Sequence, residues 1–265
     1  MTKSAPVNDH FYAMSLDLNA ILKEWPHEPG MIKVRKILGF DGRDKLQLRL
    51  DLGVLQMEMT GRPDGQRPHG CESLLAYHQH RAELAKAAGD SYELTAEECS
   101  ELQQEGIQYY HRYVSLFQLN EFAGVIRDTQ RNLDLFTFVD EHSEREEIVW
   151  NFQQFRPYVL MMNTRAKASI FLNEGKFGDG MREIEKGRDA IVEFFQHSNF
   201  PELASKSSEI AFLEEWLDEV RAKRPLTKLE IMQREMESAI ASELYERAAE
   251  LRDAIKLLKA AERTA

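Results

Sequence analysis

The spacing of apolar residues along the chain moves from a helical period to alternation and back to a helical period, and each change marks a different kind of structure. From about Tyr12 to Trp25 a helical spacing stops at Pro26, with Pro29-Gly30 completing the break, and residues 1 to 8 read as a loose leader. Ile32 to Leu38 and Lys45 to Met59 then flank Phe40-Asp41-Gly42-Arg43-Asp44, whose Asp-Gly pair predicts a tight hairpin turn. In the second run Leu46, Leu48, Leu50, Leu52 and Val54 alternate with Gln47, Arg49, Asp51 and Gly53, giving one buried face. The phase then shifts to Leu55, Met57 and Met59, for which a bulge near Gly53-Val54 is the expected cause.

A helix is expected at about 72–88, and from Thr95 onward the whole chain reads as helix. Thr95-Ala-Glu-Glu98, Ser143-Glu-Arg-Glu146 and Thr227-Lys-Leu-Glu230 have the form of capping boxes and mark three helix starts, while Gly175 and Pro225 mark breaks. A weak repeat relates Leu119-Asn-Glu-Phe122 to Leu172-Asn-Glu-Gly-Lys-Phe177, each at a junction between two amphipathic helices, with the phenylalanines 55 residues apart. The second copy resembles a tetratricopeptide unit, with Gly175-Lys176-Phe177 at the turn and Gly180, Ile184 and Gly187 along the second helix. The first departs from that pattern at Asn120 and Val125, and the spacing exceeds the usual 34 residues, so a plain helical bundle stays open. A helix from Pro201 to Lys223, capped by Ser198 or Asn199, carries Ile210, Leu213, Trp216, Leu217 and Val220 on one face and would shield the open end of such a stack.

Two further helices close the chain. Leu229, Met232, Met236 and Ala239 form one narrow seam, and Ala248, Leu251, Ile255 and Leu258 form another at the same spacing. A hairpin this small has little interior of its own and needs something to dock on. Its residues resemble the UVR motif, the helical hairpin shared by the UvrB and UvrC excision-repair proteins and by certain regulators of bacterial Clp proteases. The resemblance rests on Met236, Ala239, Tyr245-Glu246, Ala248-Ala249, Arg252-Asp253, Ile255 and Leu258, and Tyr245 stands where Phe is commoner. It implies a protein-contact module that pairs with another hairpin or a partner protein, and it implies no nuclease or helicase chemistry. Leu229, Met232, Met236, Ala239, Tyr245, Ala248, Ala249, Leu251, Ile255 and Leu258 would then carry apolar contact, with Glu246, Arg252 and Asp253 setting register. Two terminal helices packed on their own domain are the plainer alternative, in which Arg252-Asp253 is a solvated pair.

The composition limits the function. A net charge of −11 argues against nonspecific nucleic-acid binding, and the basic run Arg221, Lys223 and Arg224 has the character of a helix end. No stretch approaches the roughly 18 apolar residues of a membrane span, and Met-Thr-Lys-Ser-Ala-Pro lacks the apolar core of a secretion signal, so a cytoplasmic protein is expected. Cys71 and Cys99 read as reduced thiols. His78 and His80 lie about 200° apart around a helix and cannot share one metal; no metal, cofactor or catalytic constellation is expected. In Gly61-Arg-Pro-Asp-Gly-Gln-Arg-Pro-His-Gly70, glycine amides with Arg62 and Arg67 would suit an anion, although no P-loop or dinucleotide spacing accompanies them, and a stiff connector is the alternative.

These readings give a mostly α protein of α+β class: an N-terminal helix and β-hairpin region over 1–90, a helical-repeat domain over 91–224 and a UVR-like hairpin over 225–265. The arrangement is similar to bacterial proteins described as UvrB/UvrC motif-containing. The function expected first is a non-catalytic cytosolic adaptor, contacting a protein partner or a second copy of itself through the C-terminal hairpin. The alternatives are an accessory factor of nucleotide excision DNA repair and an enzyme or small-molecule binder centred on the Gly61–Gly70 loop.

Overall fold

The computed structural model describes residues 18–198, 200–226 and 228–262. The leader, the start of the helix expected from Tyr12, and the proposed caps Asn199 and Thr227 lie outside the described residues. The chain falls into two compact units that divide between Glu214 and Glu215.

In the first unit α1 (Asn19–Glu24) ends just before Pro26, and β1 (Lys33–Leu38), β2 (Asp44–Arg49) and β3 (Val54–Glu58) form an antiparallel sheet in that order. The β1–β2 turn is the expected one. Gly39 N–H donates to Arg43 O at 2.8 Å, Asp41 Oδ1 accepts from Arg43 N–H at 3.1 Å, and Gly42 supplies the left-handed φ of 72° that closes a three-residue loop. The next segment corrects the sequence reading. The chain does not bulge at Gly53-Val54; it reverses at Asp51-Leu52, where Leu50 N–H donates to Gly53 O at 2.9 Å, so the expected hairpin is a three-stranded sheet. Partners across this pair have opposite parity, Leu46 with Met57 and Leu48 with Leu55, which produces the phase shift seen in the sequence.

Leu46, Leu48 and Met57 are buried, and the helix Ala96–Gln118 packs on β2. Lys45, Gln47 and Arg49, which alternate with those leucines, are buried as well and each has polar partners. Lys45 Nζ donates to Asp41 Oδ2 at 2.7 Å, Gln47 Oε1 accepts from Arg35 Nε–H at 2.8 Å, and Arg49 Nε–H donates to Trp25 O at 2.7 Å.

The helices that follow are α2 (Leu74–Ala88), α3 (Ala96–Gln118), α4 (Phe122–His142), α5 (Glu146–Gln153), α6 (Arg156–Asn173), α7 (Phe177–His197) and α8 (Ser208–Lys223). Thr95 and Glu98 form the expected capping box on α3, with Glu98 N–H donating to Thr95 Oγ1 at 3.2 Å and Thr95 N–H to Glu98 Oε2 at 2.9 Å. Ser143 does not cap α5, whose N-cap is Arg145; the Ser143 hydroxyl accepts from Arg145 N–H at 3.4 Å instead. The single helix expected over Pro201–Lys223 is also corrected, to a 3₁₀ segment Pro201–Lys206 and α8, separated at Ser207, whose Oγ accepts from Ile210 N–H at 3.3 Å. Ile210, Leu213, Leu217 and Val220 are buried and Trp216 is half-buried.

The repeat is written in the backbone. Asn120 and Gly175, 55 residues apart, both take left-handed φ, at 58° and 73°. Glu121 N–H donates to Leu116 O and Lys176 N–H to Phe171 O, each at 2.9 Å, and the preceding amides reach Phe117 O and Leu172 O at 3.1 and 3.0 Å. Both are Schellman endings, and in each an aromatic residue, Phe122 or Phe177, opens the next helix. The α3–α4 and α6–α7 hairpins pack through α4 against α6, with α5 filling the connection and lengthening the repeat. Small residues set the approach: a Cβ on Gly187 would lie 1.9 Å from Thr164 Oγ1, and one on Gly180 would lie 2.7 Å from Leu172 Cδ2.

Buried ions join the layers. Arg112 on α3 and Asp128 on α4 are both fully buried and meet in two parallel hydrogen bonds, Nε to Oδ2 at 2.6 Å and Nη2 to Oδ1 at 2.8 Å. Arg112 Nη1 continues to Glu58 O at 3.1 Å, and Arg127 donates to Asp128 Oδ1 at 2.8 Å and Met59 O at 3.0 Å, so the end of β3 is held by the same cluster.

Gly187→Ala is expected to cost about 1–3 kcal/mol through its clash with Thr164, whereas Gly178→Ala, whose Cβ would meet only Arg182 Nη1 at an ordinary 3.8 Å, should shift stability by no more than about 1 kcal/mol and toward greater stability. Asp128→Ala leaves the Arg112 charge buried without its carboxylate and should cost about 3–5 kcal/mol. Arg112→Met combined with Asp128→Leu should recover most of that loss. Urea unfolding followed by circular dichroism reads all four.

Candidate functional site

In the second unit α9 (Lys228–Ala241) and α10 (Tyr245–Glu262) form a helical hairpin. The predicted seams are the sides turned inward. Ala239, Ala248, Leu251 and Ile255 are buried, and Leu229, Met232, Met236, Ala249 and Leu258 are half-buried. Alanines at the closed end of the seam let the two helices approach closely near the turn.

The turn repeats the geometry of the first unit. Glu243 takes a left-handed φ of 57°, its N–H donates to Ile240 O at 3.0 Å, and Leu244 N–H reaches back to Ala239 O at 2.8 Å, the same Schellman pair that ends α3 and α6. An aromatic residue again opens the next helix, here Tyr245. At the equivalent place Phe122 is buried and Phe177 is half-buried, but Tyr245 is 67% exposed, so its hydroxyl lies in solvent and needs no buried partner. Ile240 and Leu244 beside it are 50% and 58% exposed, and Ile231 and Leu257 are exposed farther along. The predicted register residues Glu246, Arg252 and Asp253 are exposed, and Arg252 pairs with its own neighbour Asp253 at 2.9 Å.

The basic run before the hairpin is neutralised locally. Arg221 pairs with Asp218 at 2.6 Å, Lys223 with Glu219 at 3.1 Å and Arg224 with Glu230 at 2.5 Å. No free cationic stripe remains there for phosphates.

The Gly61–Gly70 loop uses its charge internally. Arg62 Nε lies 3.0 Å from the fully buried carboxylate of Glu105, out of line for a hydrogen bond. That carboxylate also accepts from Leu74 N–H at 2.8 Å and Leu75 N–H at 3.2 Å in the first turn of α2, and it pairs with Arg131. Arg67 is exposed and donates to Gly70 O at 3.3 Å, and the amides of Gly65 and Gly70 are spent on Arg62 O and Arg67 O. Arg62 and Arg67 are therefore not brought onto one anion. Burial lowers the pKa of Arg131 against the opposing pull of Glu105, and burial raises that of Tyr109, over whose ring Arg131 and Arg112 lie at 4.2 and 4.9 Å.

Of the histidines, His78 meets the Tyr92 hydroxyl at 2.6 Å, and His69 stacks on Tyr77 at 4.1 Å. Burial lowers the pKa of His78 and raises that of the Cys99 thiol. Among the described residues no group of three or more His, Cys, Asp or Glu is placed to hold a metal, and no helix is long and apolar enough to cross a membrane.

Sequence reading missed the buried ions. Their signal was present in Glu105 and Arg112, which follow Leu102 and Tyr109 by three residues and so fall on the apolar stripe of α3. It also missed a groove of about 900 Å³ bordered by the end of α4, by α5, α6 and α7, and by the 3₁₀ segment's flank at Phe200.

Glu243→Gly relieves the left-handed strain of a glutamate and should steady the hairpin turn by about 1 kcal/mol. The effect would be read as roughly fivefold slower hydrogen exchange at the Leu244 amide.

Two comparisons bear on the chain as a whole, and one on its end. No curated protein and no solved structure matches it. The family model for the UvrB/uvrC motif matches residues 227–261, the hairpin itself, and this motif is known for contacts between proteins, those of DNA repair included.

Proposed function

We propose that the protein is a non-catalytic cytosolic adaptor whose C-terminal hairpin pairs with a second helical hairpin, in the first instance that of another copy. The observation that carries this reading is the exposed apolar end formed by Ile240, Leu244 and Tyr245. In the two hairpins of the first unit the corresponding aromatic is buried or half-buried; in the third it is 67% exposed. Exposed tyrosine beside aliphatic residues has the chemistry of an interface centre, and the match to the UvrB/uvrC motif supports the same conclusion. Two such hairpins assemble most simply as a four-helix bundle about a twofold axis, in which the half-buried Met232, Met236 and Leu258 also complete their burial. Exposed Glu246, Arg252 and Asp253 would border that contact and set its register, contributing little to affinity.

On this reading the stacked α3–α4 and α6–α7 hairpins, which share the tetratricopeptide-like turn, give the adaptor its second contact surface. An accessory role in nucleotide excision repair rests on the name of the motif alone. The net charge of −11 and the locally paired Arg221, Lys223 and Arg224 give nucleic acid little to bind.

Light scattering over a concentration range should show the full chain as a dimer, and a version ending at Arg224 as a monomer. Leu244→Asp with Tyr245→Ser in the full chain should weaken the dimer at least about tenfold, or ~1.4 kcal/mol. A full chain that stays monomeric throughout would remove self-pairing, and a pull-down with UvrB- or UvrC-type hairpins would then decide between a different partner and none.

A further inference from the structure

The groove of the first unit is walled by Trp150 and Phe194, both half-buried, and by Phe200, which is 41% exposed; Trp150 and Phe200 rings lie 5.1 Å apart. Around these rings stand five carboxylates, Asp140, Glu144, Glu146, Glu147 and Glu193, all exposed. Among the described residues none of the five is within ion-pair distance of a cation. The single guanidinium in the lining, Arg156, makes its hydrogen bonds elsewhere, its Nε–H donating to Gln153 Oε1 at 2.6 Å and its Nη2 to Thr137 Oγ1 at 3.1 Å, and through space it attracts Asp140.

Five carboxylates against one lining guanidinium leave an excess of like charge that holds a negative potential over the groove, which an incoming cation relieves. Helix position accounts for only part of the gathering. Glu146 and Glu147 lie in the first turn of α5, where the dipole favours them, but Asp140 lies near the end of α4 and Glu193 in the last turns of α7, where it does not. The aromatic walls select among cations. A guanidinium or ammonium gains from a tryptophan or phenylalanine face, and its aliphatic stem covers the remaining ring surface. At about 900 Å³, bordered by five segments of chain, the groove is larger than one side chain or one small cation fills.

We propose that this groove binds an arginine- or lysine-bearing segment of a protein partner, with its cations on the carboxylates and its side-chain stems on Trp150, Phe194 and Phe200. The surface lies between residues 140 and 200, so it is independent of the C-terminal hairpin and of whether that hairpin self-pairs.

The test is fluorescence anisotropy of the full chain with a dye-labelled peptide of three arginines spaced by glycines, against the same peptide with neutral citrulline at each arginine, at about 0.15 M salt to screen exposed charge. The arginine peptide should bind at least about tenfold more tightly. Glu146→Gln, Glu147→Gln and Glu193→Gln together should remove about tenfold in affinity, while Glu101→Gln, Glu235→Gln and Glu237→Gln, which remove the same charge elsewhere, should change it less than about twofold. Phe200→Ala, a substitution at an exposed ring that leaves the charge unchanged, should weaken binding about threefold or more. Equal losses in the two triple variants would reduce the effect to the protein's overall acidity and overturn the proposal. Equal affinity for the two peptides, or no binding of either, would overturn it as well.

Discussion

The Arg112–Asp128 pair is the contact on which the architecture of the first unit depends. Neither charge reaches water, so each is tolerable only while the other is in place, and both hydrogen bonds fix the register of α3 against α4. The remaining donors of Arg112 and of Arg127 then extend to Glu58 O and Met59 O, so the end of the sheet is held through its main-chain carbonyls. Glu105 and Arg131 repeat the logic one helical level away, with the carboxylate also serving the amides that open α2. Leucine packing alone would bring these layers together. The ions add a demand on geometry, since any offset of α3 against α4 would leave a buried charge without its partner.

Local signals in the sequence were read well where the physics is local. Asp41-Gly42 made its turn, Thr95 and Glu98 made their box, and the seams of α9 and α10 turned inward at the spacing the pattern gave. The failures share a cause. Gly53-Val54 looked like a bulge because alternation carries no sign of chain direction, and a two-residue reversal shifts phase just as an inserted residue does. Ser143-Glu146 had the letters of a capping box, but the chain around it does not start its helix there, and α5 begins at Glu146 with Arg145 as its cap. The Gly61–Gly70 loop held the right chemistry for an anion, and the anion that Arg62 meets is Glu105, more than forty residues away along the chain. No window of sequence contains both ends of such a pairing. The acidic groove was hidden for the same reason, since Asp140, Glu147 and Glu193 come from three helices.

One solution to joining antiparallel helices recurs three times, at Asn120, Gly175 and Glu243, and the three residues show how much local strain each hairpin tolerates. Glycine accepts the left-handed conformation freely, asparagine with modest cost, and glutamate at the greatest cost of the three. The most strained turn thus belongs to the hairpin with the smallest interior, and the same turn carries the most exposed aromatic of the three. Strain and exposure meet at the turn of the hairpin proposed as a contact surface.

A left-handed residue at a helix end also acts as the origin of a ruler. Because it fixes where α9 stops and where α10 starts, the facing of every side chain in the hairpin is counted outward from Glu243. One residue inserted on either side rotates everything beyond it by about 100°, which would carry Met236 or Leu251 out of the seam and bring a charged neighbour in. Changes of length are therefore absorbed only at the open end, beyond Leu229 and Leu258, where no seam remains to be turned. Such a hairpin can be shortened, extended or joined to further chain at its open end, while the stretch between those two leucines admits no change of length without turning the seam.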